Sequence, residues 1–95
     1  MKGYWFIIGT AVKDAEAQQE YARLWKPVAE KYKARINPMP EPVQKMEILG
    51  TERVIVVEFP SLADAKACYD DPAYQEAKEY ALKASMRELF IFEAG

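Results

Sequence analysis

The sequence predicts an α+β fold built on one four-stranded antiparallel sheet, and two observations lead to this prediction. Two segments, residues 3–12 and 53–59, are rich in aromatic and β-branched residues on both alternating faces, which is typical of central strands. Each of them is followed by a segment in which apolar residues recur at helical spacing. The 95 residues fit a single domain, 1–95, with one modest core.

The first helix is predicted to begin after Asp14, whose carboxylate can accept hydrogen bonds from the free N–H groups of the first turn. Pro27 lies within this helix and lacks the N–H that would bond to the carbonyl of Arg23. We therefore expect a kink or a break near residues 25–26. The predicted buried stripe of the helix comprises Ala17, Tyr21, Leu24, Trp25, Val28 and Tyr32.

The segment after the first helix is dominated by proline. Residues 37–42 read NPMPEP, and proline at every second position removes amide donors and favours extended backbone. We expect a stiff connection into an edge strand at residues 43–49, followed by a hairpin turn at Gly50 and Thr51.

The chain after the second central strand carries two helix-start signals. Ser61 with Asp64 three residues later resembles a capping box, and Asp71 before Pro72 places an N-cap acid ahead of a proline. A last strand follows at residues 88–93, so the order is β-α-β-β-α-β, the ferredoxin-like arrangement with helices on one sheet face. The buried helical residues are predicted to be Leu62, Ala65, Cys68, Tyr69, Tyr74, Ala77 and Ala81.

The uncovered face of this sheet predicts a partner. Four strands at ~4.8 Å spacing and about six residues long give a bare face of roughly 380 Å², as large as the largest apolar patches on whole monomers. Because both central strands are apolar on both faces, this side is unsuited to water. We expect a second copy to cover it in a homodimer.

Composition and charge exclude several classes of function. A net charge of -2 with scattered Lys and Arg gives no basic surface for nucleic acid, and no apolar run reaches the ~20 residues of a membrane span. The absence of histidine and the single cysteine exclude a Ser-His-Asp triad, a Cys-His pair and the usual zinc sites. No glycine-rich phosphate loop occurs, so we predict no cofactor and no metal. One cysteine and no cleavable leader pattern make the cytoplasm the expected location.

Five residues are candidates for a site between sheet and helices. Glu58 is the charged residue of an otherwise apolar strand interior, so it either pairs with Arg35, Arg53 or Arg87 or exchanges protons with a substrate as a catalytic group. Aromatic side chains at core spacing either wall a ligand pocket or simply fill the core. The candidate ligand-binding residues are Trp5, Trp25, Arg35 and Tyr69.

Several motifs carry a family resemblance. KGYW at the start, VKD at the first helix, and above all EFPS at residues 58–61 with CYDDPAYQ at residues 68–75 resemble the bacterial family named domain of unknown function 1330. The resemblance spans nearly the whole chain and implies a homodimeric α/β-barrel form of the ferredoxin-like fold, without an agreed reaction. Relatives tend to carry a Gly-Gly-Arg turn where this chain has Lys33, Ala34 and Arg35.

Two classes of function remain open. The first is a cofactor-independent enzyme acting on a small, partly apolar substrate, with Glu58 as proton acceptor and Arg35 orienting an anionic group. The second is a non-catalytic dimeric module that binds a small molecule, in which Glu58 is structural. Fold analogy does not choose between them.

Overall fold

The computed structural model describes residues 1–95, and in it four strands form one antiparallel sheet with three helices packed on one face. The sheet order is β2-β3-β1-β4, which is the ferredoxin-like topology and confirms the predicted α+β fold. The elements are β1 Lys2–Gly9, α1 Ala15–Lys31, β2 Arg35–Ile36, β3 Arg53–Phe59, α2 Leu62–Asp70, α3 Pro72–Ala84 and β4 Arg87–Ala94.

The core lies between the helices and one face of the sheet. In the centre of the sheet, Trp5 of β1 pairs with Val57 of β3 and Ile91 of β4, so the three side chains share the helix-facing side. Trp5 is fully buried, and its indole N–H donates to the carbonyl oxygen of Ala65 in α2 at 2.9 Å. This bond satisfies the polar atom of the ring and ties β1 to the helical layer.

The predicted helix starts are all present. The Asp14 carboxylate accepts from the N–H of Ala17 at 3.0 Å, and the Ser61 hydroxyl accepts from the N–H of Asp64 at 3.1 Å. Asp71 accepts from the N–H of Ala73 at 2.8 Å and separates α2 from α3. Each of these bonds satisfies an N–H group that has no partner inside the helix.

The predicted edge strand at residues 43–49 is wrong, and so is the hairpin at Gly50. The edge strand is β2 instead, and it ends where the Asn37 side-chain oxygen accepts from the N–H of Val56 at 2.9 Å. Asn37 has a φ of 49°, which turns the chain away from the sheet, and the prolines that follow lack the donors needed to return to it. β1 also ends at Gly9, before the predicted limit at residue 12.

The predicted break near Pro27 does not occur, because α1 continues through it to Lys31. Pro27 is exposed, so the carbonyl that loses its intrahelical partner is on the side of the helix reached by water. After α1, Lys33 takes a left-handed conformation with a φ of 55°. This is the conformation that glycine adopts at the end of many helices without steric cost.

The other face of the sheet carries no helix and is apolar. In register across three strands, Phe6 lies between Val56 of β3 and Phe90 of β4, and half of the Phe90 side chain is exposed. Tyr4 stacks on Phe92 with 5.3 Å between ring centroids. We call this surface the open face, and it comprises Tyr4, Phe6, Ile8, Val54, Val56, Glu58, Glu88, Phe90 and Phe92. None of the three helices is long and apolar enough to cross a membrane.

Candidate functional site

A cleft of about 250 Å³ lies between α1 and the helix-facing side of the sheet. We call it the α1 cleft. One wall consists of Tyr21 and Trp25 from α1, and the floor includes Trp5 and Val57 of the sheet. The polar side chains that line it are Gln18, Asn37, Arg53 and Arg87.

The aromatic wall of the α1 cleft is packed tightly and is therefore rigid. The Trp5 ring lies 5.5 Å from Trp25, 4.8 Å from Tyr74 and 5.0 Å from Phe59, all measured between ring centroids. Tyr21 runs parallel to Trp25 at 6.4 Å. Tilted and offset aromatic pairs of this kind are favourable beyond their buried area, so the wall holds its shape without a ligand.

A small polar cluster lies at one end of the α1 cleft. Tyr74 is fully buried, and its hydroxyl accepts a hydrogen bond from the Arg87 guanidinium at 3.2 Å and lies 3.4 Å from the Tyr21 hydroxyl. Burial, the largest cause, raises the pKa of Tyr74 far above its ordinary value. The guanidinium carbon of Arg87 also lies 5.4 Å from the centre of the Tyr21 ring. Tyr74 is therefore a neutral hydrogen-bonding group that helps to hold Arg87 in place.

Glu58 and Arg35 lie on the open face, on the opposite side of the sheet from the α1 cleft. Arg35 donates to one Glu58 oxygen at 3.1 Å, and the Tyr4 hydroxyl donates to the other at 3.1 Å. The Glu58 side chain is 13% exposed, whereas that of Arg35 is 66% exposed. Both carboxylate oxygens therefore have partners, and this is the paired alternative anticipated for a charge in an apolar strand.

The structure thus divides the five candidate residues between two sides of the sheet. Trp5 and Trp25 line the α1 cleft, and Tyr69 packs behind it with its ring 6.0 Å from that of Trp5. Arg35 and Glu58 form the pair on the open face. No residue of that pair can contact a ligand bound beside the tryptophans, because the sheet lies between them.

Sequence reasoning missed Arg53 and Arg87 as site residues and named them only as partners for Glu58. Both alternate in phase with helix-facing residues, Arg53 with Val57 and Arg87 with Ile91, so their side chains lie on the side of the sheet opposite Glu58. The two-residue periodicity of each strand was the signal that could have found them.

The structure offers no cysteine nucleophile, no cluster of metal ligands and no carboxylate in the α1 cleft. Cys68 is fully buried, and burial raises the pKa of its thiol from 9.0 to about 12, so it is a core residue and not a nucleophile at neutral pH. No three Cys, Asp or Glu side chains lie close enough together to hold a metal ion. The side chains lining the α1 cleft include two arginines and one tyrosine but no carboxylate.

The match to a family model identifies the chain. The model of the domain of unknown function DUF1330 matches residues 2–94. This chain belongs to the DUF1330 family. The resemblance inferred from the sequence motifs is therefore confirmed.

Solved structures similar to this DUF1330 chain have the same fold. A protein of unknown function from Rhodopseudomonas palustris aligns with a TM-score of 0.64 and 20% identity, over 98% of this chain and 82% of that one. A dimeric ferredoxin-like protein of unknown function from Jannaschia sp. CCS1 aligns with a TM-score of 0.67 and 14% identity, over 99% of this chain and 100% of that one. A variant of SnoaB, a cofactor-independent oxygenase from Streptomyces nogalater, aligns with a TM-score of 0.65 and 11% identity, over 98% of this chain and 92% of that one. At these identities the likeness shows the fold alone, and no curated protein matches the chain.

Proposed function

We propose that this DUF1330 protein is a homodimeric module that binds a small, partly apolar molecule in the α1 cleft. The observation that carries the proposal is the cleft itself, which has a preformed aromatic wall and a few polar groups at one end. Concave apolar sites with few, fixed polar groups are the usual form of small-molecule sites. Each chain forms one domain and contributes one cleft.

Binding is favoured over catalysis by the contents of the α1 cleft. A proton-transferring enzyme needs a base within hydrogen-bonding distance of its substrate, and the carboxylate suggested for that role is on the other side of the sheet. The catalytic role of Glu58 stays a prediction that would require a substrate on the open face. Glu58 and Arg35 serve in our proposal as a structural pair at the edge of the dimer interface.

The open face supports the homodimer. Its apolar side chains include Phe90 and Phe92, which are 50% and 43% exposed. It is continuous with a groove of about 710 Å³ bounded by residues 43–51, where Met46 and Leu49 are also exposed. A contiguous apolar surface of this kind marks an interaction site, and the similar Jannaschia protein is described as dimeric. A cytoplasmic location belongs to the same proposal.

The dimer is tested by the mass of the chain in solution. Size-exclusion chromatography with light scattering should give twice the chain mass of 10.9 kDa. Phe6→Glu places a carboxylate between two strands at the centre of the open face and should give the single-chain mass with an unchanged helical circular dichroism spectrum. A wild-type mass of one chain would contradict the homodimer.

The cleft is tested by a thermal-shift panel of neutral and charged single-ring compounds. We expect some of them to raise the melting temperature of the wild type and of Ala67→Trp, a control on the exposed surface of α2. Ala22→Trp, which places a large ring on an exposed residue lining the cleft, should abolish those shifts. Equal shifts in Ala22→Trp and wild type would place the binding site elsewhere.

A further inference from the structure

Two arginines flank the same glycine on the helix-facing side of the sheet. Gly9 of β1 pairs with Arg53 of β3 on one side and with Arg87 of β4 on the other. With neighbouring strands ~4.8 Å apart, the two arginine Cα atoms are about 10 Å apart. Gly9 has no side chain to fill the sheet surface between them, and a Cβ there would lie 3.1 Å from the Cβ of Arg87.

Neither arginine has an anionic partner within the chain. The ion pairs join Arg23 to Glu20, Lys31 to Asp71 and Arg35 to Glu58, and none of them lies in the α1 cleft. Arg87 donates to the Tyr74 hydroxyl and its guanidinium lies beside the Tyr21 ring, and neither of these partners is a carboxylate.

The charges of this cleft remain uncompensated. Arg53 and Arg87 are both half-buried, and a charge withdrawn from water is normally compensated by one of opposite sign. Guanidinium groups are suited to two-pronged hydrogen bonding with a planar carboxylate. The missing counter-charge is therefore one that a bound ligand would bring.

The size and walls of the cleft restrict the rest of such a ligand. Its volume of about 250 Å³ is below the ~300–1,000 Å³ of sites for drug-sized ligands, which favours a body of about one ring. Trp25 and Tyr21 offer flat surfaces on the helix side. These walls suit an aromatic or similarly flat apolar group better than a sugar or a free phosphate ion.

We infer that the α1 cleft takes a small aromatic carboxylate, with its ring against Trp25 and its carboxylate between Arg53 and Arg87. This inference rests on the proposed function, since it names the class of ligand bound in that same cleft. Arg87 is held by the Tyr74 hydroxyl, and both arginines are register neighbours of Gly9, so one anion can be contacted by both guanidinium groups.

The test compares a carboxylate with its neutral counterpart on the wild-type chain. Phenylacetate and phenylacetamide have the same ring and nearly the same shape, so isothermal titration calorimetry of the two isolates the charge. We expect phenylacetate to bind at least about tenfold more tightly, with an affinity that falls as NaCl is added. Because this comparison uses the wild type, it does not depend on any variant folding.

Four variants, one of them a control, locate the anion site. Arg53→Gln and Arg87→Gln should each lower the affinity for phenylacetate about tenfold and that for phenylacetamide by a clearly smaller factor, because hydrogen bonds to a neutral amide are weaker than those to a carboxylate. Arg23→Gln, on the outer surface of α1, is the matched control and should change neither affinity. Arg53→Lys keeps the charge without the planar fork and should give an intermediate affinity for phenylacetate.

The outcomes separate this inference from the proposed function. If acid and amide bind equally, or if the arginine variants leave the preference for the acid intact, the anion site is wrong while the cleft remains a binding site. If neither compound binds and no compound of the thermal-shift panel does, the inference and the proposed function are both contradicted.

Discussion

Replacing Tyr74 with phenylalanine removes a single oxygen from the centre of the protein. The ring keeps its contacts with Trp5 and Trp25, at 4.8 and 5.8 Å, so the packing of the core is preserved. The lost hydroxyl is the acceptor for Arg87 at 3.2 Å. The variant also removes the contact with the Tyr21 hydroxyl at 3.4 Å, so it tests whether the Tyr74 hydroxyl both stabilises the fold and positions a residue of the α1 cleft.

The expected loss of stability follows from this geometry. A hydrogen bond to a charged group contributes about 1.5–3 kcal/mol, but Arg87 is half-buried and can regain water, so we expect about 1 kcal/mol. For a domain of this size that corresponds to a fall in melting temperature of about 4–8 °C. Affinity for phenylacetate should fall several-fold as Arg87 becomes mobile, and the affinity for phenylacetamide should fall less.

Thermal unfolding followed by circular dichroism measures the effect, with Tyr69→Phe as the matched control. Tyr69 belongs to the same aromatic cluster but is only half-buried, whereas Tyr74 is fully buried, and the Tyr69 hydroxyl is bonded only to Lys78 at 3.3 Å. This control should stay within about 0.5 kcal/mol of wild type. Equal melting temperatures for the two variants would refute the role given to the bond between Tyr74 and Arg87.

Three further predictions concern other parts of the molecule. The bonds from Lys31 and Tyr32 hold the pKa of Asp71 at about 2, below its ordinary 3.8, so its stabilising effect is full above about pH 4 and is lost as pH falls through 2. Urea unfolding should therefore show Asp71→Asn less stable than wild type at pH 7 and nearly equal to it at pH 2, because Asn caps helices equally well. A difference in free energy of unfolding that stays the same at both pH values would contradict this. Glu58→Gln should cost about 0.2–1 kcal/mol in the same assay and leave ligand binding unchanged, and a loss of binding would return Glu58 to the functional site. Lys33→Gly should raise the melting temperature by a few degrees by relieving the positive φ of 55°, whereas a lower value would show that Lys33 makes a contact that outweighs the strain.

The sequence was sufficient for the parts of the fold that depend on local chemistry. The central strands follow from apolar residues on both faces, and the helix starts follow from Asp14, Ser61 and Asp71, whose side chains bond as expected. The prediction of an edge strand at residues 43–49 failed because these residues have strand-like composition, but no interaction brings them back to the edge of the sheet. That outcome was decided by Asn37, whose side-chain bond to β3 ends the pairing.

The candidate site was predicted only in part, for a related reason. Strand periodicity places Glu58 and Arg53 on opposite faces of β3, but it does not say which face the helices cover. Trp5 and Trp25 were recognised because large aromatic residues stand out in any pattern. The arginines were overlooked because their importance lies in the absence of a partner, and that absence is visible only once all neighbouring side chains are in place.

Tryptophan fluorescence tests the central claim most directly, because the chain has two tryptophans and both line the α1 cleft. Titration with phenylacetate should change the emission of the wild type in a saturable way, with the same dissociation constant that calorimetry gives. In Ala22→Trp the added ring fills the cleft, so phenylacetate should not change the emission, although the third tryptophan raises its starting level. In Trp25→Phe the change should persist, because Trp5 still lines the cleft. Binding seen by calorimetry without any change in tryptophan emission would place the ligand outside the α1 cleft and contradict the account.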